Sequence, residues 1–149
     1  MTGLQRRPFA PNFAMNASKG FAAIALAAVA CDGAMGLEEA KSLRSQLDHR
    51  TPFASLPEQT IATMFDDLLQ ILRNDGIEAL VSAAIPALDQ EQRETALAVA
   101  AQLVHSDRVV EPDEQVFLDR LSLQLELPES RAQQILDVIQ ILHRDSLAD

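Results

Sequence analysis

At 149 residues, 48% hydrophobic and 23% charged, the chain is the size of one soluble domain with enough apolar residues to bury a sizeable core. Six Phe with no Trp or Tyr leave that core to Ala, Leu, Ile and Val, a composition that suits close helix packing and predicts an all-α fold. The net charge of −10 repels phosphate backbones, so nucleic acid is excluded as a partner class and cations or basic protein surfaces are favoured.

Residues 1 to 15 carry Pro8, Pro11 and Asn12 with no period, which predicts a flexible N-terminal arm whose Phe9 and Phe13 could dock on the body. The single domain is expected over 16 to 149. Arg6-Arg7 ahead of the apolar run Phe21 to Cys31 imitate an export signal, and Ala28-Val29-Ala30-Cys31 loosely imitates a lipoprotein cleavage site. Pro8 and Pro11 argue against that reading, as does the recurrence of the same apolar pattern in mid-chain. No apolar run approaches the roughly 18 to 20 residues needed to span a bilayer. With Cys31 as the only thiol, neither an intramolecular disulfide nor a zinc knuckle is supported, and a cytoplasmic location is expected.

Ser18 is the expected cap of a first helix that runs to about Cys31 and breaks at Gly33. Gly36-Leu37-Glu38-Glu39 opens a second, to about Asp48, with Leu43 and Leu47 inward. Ser55-Leu56-Pro57-Glu58 has the form of a helix start, with a Ser cap and a Pro in the first turn. The third helix places Ile61, Met64, Phe65, Leu68, Leu69 and Leu72 on one face and stops near Asn74. Asp75-Gly76 starts a short connector helix, Ile77 to Ala84. Asp89 caps the fifth, Glu111-Pro112-Asp113-Glu114 opens the sixth, and Leu127-Pro128-Glu129 opens the seventh, which ends near Arg144.

These segments repeat. Ala27 to Glu39 reads against Gln102 to Glu114 at an offset of 75, pairing Ile24 with Val99 and Leu43 with Leu118. Asp67 to Asp75 reads against Asp137 to Asp145 at an offset of 70, as if the second copy had a loop five residues shorter. The expected architecture is therefore about seven helices in a compact pseudo-twofold arrangement: two three-helix units, about 18 to 74 and 89 to 145, joined by a connector at 75 to 88.

In each copy an apolar helix ends at an Asp, a short turn follows, and a Glu arrives seven residues later: Asp32 and Glu39, then Asp107 and Glu114. Asp32-Gly33, Met35 and Glu39 fit the second half of a calcium-binding EF-hand loop. Its first and third ligand positions, however, fall on Ala28 and Ala30 in one copy and on Leu103 and His105 in the other. Two readings of these corners stay open. In one, Glu39 and Glu114 close on backbone N–H groups at the starts of their helices while the Asp residues organise the turns. In the other, the carboxylates, with turn carbonyls and water, hold a hard divalent cation such as Ca²⁺ or Mg²⁺.

The apolar helix, the Asp-Gly turn, the Glu seven residues on and the repeat after a connector resemble the TerB-like family of tellurite-resistance proteins over about residues 18 to 145. The resemblance implies an all-helical pseudo-symmetric fold, an association with bacterial metal-ion and chemical-stress resistance, and a metal-binding role for Asp32, Glu39, Asp107 and Glu114. Copy two departs from the family pattern in placing Arg108 where Gly is usual, a cation that could replace a metal with an internal ion pair. The family also includes domains fused to chaperone or membrane modules, which leaves room for a membrane-associated complex.

No catalytic constellation accompanies the corners. His49, His105 and His143 are scattered and lack the Glu-x-x-His pairing of di-iron bundles, and the five glycines form no phosphate loop. His105 and His143 read as cations favoured by helix C-termini, and Cys31 as a buried structural thiol. The expectation is a non-enzymatic module, metal-binding or metal-responsive. Its alternative is a metal-free adaptor or homo-oligomer that recruits a protein partner, with the acids serving as helix caps.

Overall fold

The longest apolar run becomes the centre of the molecule. In the computed structural model, which describes residues 15–31, 33, 37–105, 110–144 and 146 without the side chains of 37–39 and 129, this run is α1, Ala17–Ala30. Ala22 through Ala28 are each at most 2% exposed. A helix that is apolar all round must be covered on every side, and α3, α4 and α2 cover it. Its small side chains permit close approach. A Cβ at Gly20 would sit 3.0 Å from the carbonyl oxygen of Ala84, at the end of α3.

The remaining helices are α2, Leu37–Asp48; α3, Glu58–Ala84; α4, Gln90–Val104; α5, Pro112–Gln124; and α6, Glu129–Leu142. No strand occurs among the described residues, and the fold is all-α as expected. The third and fourth predicted helices form the single span α3, broken at Gly76, whose φ of 91° and ψ of 175° leave helical geometry on either side. Leu43 and Leu47 of α2 are buried, as are Ile61 and Leu68 of α3, with Met64, Phe65, Leu69 and Leu72 partly so. Of the predicted N-terminal arm, only Met15 falls among the described residues, and it packs against the core.

Two caps differ from expectation. Asn16, not Ser18, caps α1: its Oδ1 accepts the Lys19 N–H at 2.8 Å, and Ser18 already lies inside the first turn. Ser55 does not cap α3. Buried Phe53 anchors a short 3-10 turn, Phe53–Ser55, in which the Ser55 hydroxyl donates to the Pro52 carbonyl at 3.1 Å; Pro57 precedes α3 with no side-chain cap. At α4, by contrast, Asp89 and Gln92 form the complete reciprocal box, at 2.8 and 2.9 Å.

Polar ties fix the helices to one another. Lys19 of α1 reaches Asp67 of α3 at 3.0 Å, and Arg44 of α2 pairs with Glu58 at 3.1 Å. Arg93 of α4 donates to the carbonyls of Leu88, Ile85 and Leu125, each at 3.0 Å, which satisfies acceptors at the end of α5 and around the 3-10 turn Ile85–Ala87.

Burial can be compared between the two copies. Ile24 with Val99 and Leu43 with Leu118 are buried in both copies. In the third helix of each unit, however, the offset of 70 sets buried Leu68 against Val138, which is 60% exposed. The pairs that share burial are Ile61 with Ala132, Met64 with Ile135, Phe65 with Leu136 and Leu68 with Ile139, one residue further on. These faces are the ones that pack on α1 and α4.

Candidate functional site

Corner one begins where α1 stops. Cys31 keeps helical geometry, Gly33 turns to a φ of 83° with its N–H on the Ala30 carbonyl at 3.0 Å, and α2 starts at Leu37. Glu39 is the third residue of α2, the position from which a Glu reaches back in a capping box. Asp32 and the Glu39 side chain lie outside the described residues.

Corner two shows that chemistry directly. Glu111 flanks α5, Pro112 occupies its first turn, and Glu114, in the third position, accepts the Glu111 backbone N–H through Oε1 at 2.9 Å. Glu114 is 9% exposed, so its carboxylate closes the positive end of α5 from within the fold. Asp107 lies outside the described residues. The structure thus places one of the four sequence-derived ligands, Glu114, and gives it a capping bond.

Both corners border one groove of about 420 Å³. Cys31 lines it from the end of α1, Asp75 and Glu78 from either side of the Gly76 break, and Asp113, Phe117 and Arg120 from α5. Glu78 is committed to Arg120 and to Gln124, whose Nε2 donates to it at 3.2 Å. Asp75 and Asp113 are exposed and make no ion pair among the described residues. Cys31 is half-buried, not fully buried as expected, and its thiol donates to the Ala28 carbonyl at 3.2 Å. Asp113 is legible in the sequence as part of its corner, whereas Asp75 and Glu78 are not, because only the α3 break brings them alongside.

The oxygen donors here suit a hard cation. Among the described residues, no three His, Cys, Asp or Glu side chains cluster tightly enough to hold a metal by themselves. A cation at this place would need Asp32 or Asp107 in addition to the groove acids.

One further grouping was not legible in the sequence. His105, at the end of α4, and His143, at the end of α6, stack with ring centroids 5.6 Å apart and planes at 21°. His143 Nε2 is buried without a hydrogen-bond partner among the described residues. Both histidines do sit at helix C-termini as expected, but they are neighbours and not scattered.

With the duplicated corner placed at the ends of α1 and α4, family comparison becomes decisive: residues 19–137 match the family described as tellurite resistance protein TerB. The chain belongs to the TerB family. The match spans α1 to most of α6, so it takes in both corners and the TerB groove between them. No curated protein and no solved structure matches the chain. No helix among the described residues of this TerB chain is long and apolar enough to cross a membrane.

Proposed function

We propose that this TerB-family chain is a non-enzymatic, cytoplasmic module of tellurite and chemical-stress resistance whose acidic corners hold a hard divalent cation, Ca²⁺ or Mg²⁺. Asp32 and Glu39 form the primary pair, and Asp107 and Glu114 the second. The observation that carries this reading is the common groove, where the shoulders of both corners, Cys31 and Asp113, face a space that also takes in Asp75. Two carboxylates from one corner bind weakly, whereas acids converging from several elements on one groove raise the charge count that sets affinity for hard cations. Melting of the chelator-stripped protein tests it. Millimolar Ca²⁺ or Mg²⁺ raises Tm in the wild type and leaves Asp32→Ala with Glu39→Gln unmoved; an equal rise in both refutes it.

The metal-free adaptor is the second reading, and the capping bond of Glu114 favours it. Val138, Ile141 and Leu142, each more than half exposed on α6, would supply apolar contact to a protein partner or a second copy. Partner recruitment that survives loss of Asp32 and Glu39 but fails with Ile141→Glu would establish it.

A further inference from the structure

A second cleft, of about 510 Å³, lies at the opposite end of α1 from the acidic groove. A helix of 14 residues separates the two by roughly 21 Å. The cleft forms where the start of α1, the loop after α2 and the start of α4 meet. Its size falls within the roughly 300 to 1,000 Å³ typical of small-molecule sites.

Its walls mix apolar and polar side chains. The Phe21 and Phe53 rings lie tilted with centroids 6.3 Å apart beside Pro52 and Leu88, and His49, Thr51, Gln92 and Thr95 line the rest. In a chain with six Phe and no other aromatic apart from its histidines, two of the six are spent here.

Arg50 supplies the polar end. Its guanidinium carbon lies 5.6 Å from the centroid of the Phe21 ring, and its Nε donates to the Gln46 carbonyl at 3.1 Å. Arg44, Arg93, Arg120 and Arg131 each lie within 4.0 Å of a carboxylate. Arg50 has no such partner among the described residues, nor do Arg73 and Arg144, but of these three only Arg50 lines this cleft, where its two terminal NH₂ groups keep the planar fork that matches a carboxylate. The first turn of α1, at Ala17 and Ser18 on the cleft wall, also carries no acid, so its positive end is not neutralised locally.

Charge narrows the ligand. One guanidinium in a chain of net charge −10, with His49 and exposed Glu91 also lining the cleft, suits a single negative charge and disfavours a polyphosphate or nucleotide. Phe21 and Pro52, backed by buried Phe53 and Leu88, suit a small apolar body behind that charge. We infer that this cleft binds a small amphipathic monocarboxylate, with Arg50 holding the carboxylate and Phe21, Phe53 and Leu88 enclosing the apolar part.

Titration of the full chain with decanoate, kept below its micellar concentration and followed by calorimetry and ¹H–¹⁵N NMR, tests the inference. Saturable binding is expected, with resonances of Arg50 and Phe21 shifted. Arg50→Gln weakens it at least tenfold, and Glu91→Gln tightens it two- to threefold by removing a like charge at the rim. Decanol, with no charge, binds at least tenfold more weakly than decanoate. Glu91 is exposed, so its variant folds and reads the sign of the site even if Arg50→Gln perturbs the loop. No saturable binding, equal affinity for decanol, or weaker binding in Glu91→Gln overturns the inference. Asp32→Ala leaves decanoate affinity unchanged, which keeps the outcome separate from that of the cation site.

Discussion

The backbone N–H of Glu111 donates to Oε1 of Glu114 at 2.9 Å, so the acid proposed above as a cation ligand also closes the first turn of α5. The two roles are separable by substitution. Glu114→Gln keeps an oxygen acceptor for the Glu111 N–H and removes the charge; Glu114→Ala removes both. In urea unfolding, Glu114→Ala is expected to lose about 1 kcal/mol or more, the scale of a lost cap, and Glu114→Gln less. Equal losses would place the contribution in the charge and not in the capping bond.

Lys19 and Asp67 make the most buried ion pair of the described residues, with side chains 8% and 16% exposed. Removing one member leaves the other charge under the core with reduced solvation. Lys19→Met or Asp67→Leu alone should cost on the order of 3 kcal/mol, while the double replacement should recover much of that loss. A double-mutant cycle in chemical denaturation measures the coupling. Purely additive losses would contradict the account of the pair as a mutual charge partner.

Gly76 joins the two parts of α3 at a φ of 91° and a ψ of 175°, a backbone region open almost only to glycine. A Cβ there would meet nothing within 4 Å, so any penalty for Gly76→Ala is conformational and not steric crowding. The expected cost is roughly 1 to 3 kcal/mol in thermal or urea unfolding. Because Asp75 and Glu78 flank the break, the same variant should also alter the acidic groove, visible as shifted amide resonances of Asp113 and Phe117. Unchanged stability would mean that the helix runs on through position 76 without strain.

Local signals carried much of the fold. Asp89 with Gln92, and Glu111 with Pro112 and Glu114, are complete capping signatures within four residues, so no tertiary knowledge was needed to place α4 and α5. Gly76 likewise announced a break. The misses lie where several local solutions compete or where distant segments meet. Asn16 and Ser18 are comparable caps two residues apart, and Ser55 looked free until burial of Phe53 committed it to a 3-10 turn. In the third helices the likeness of Asp67 to Asp137 gives an offset of 70, while shared burial pairs Leu68 with Ile139, because burial depends on what packs above them. At the site, the corners were legible because they repeat. Asp75 and Glu78 joined their groove only through the α3 break, and the stacking of His105 on His143 depends on two helix ends converging.

Cation binding at the duplicated acidic corners is the proposal on which the functional reading depends. Isothermal calorimetry of Ca²⁺, Mg²⁺ and Zn²⁺ into the chelator-stripped protein, beside Asp32→Ala and Glu114→Gln, tests it most directly. The account predicts saturable heat with Ca²⁺ or Mg²⁺ that disappears in Asp32→Ala and weakens in Glu114→Gln. No saturable heat at millimolar ion, or heat that persists unchanged in Asp32→Ala, would contradict it and leave these acids as helix caps.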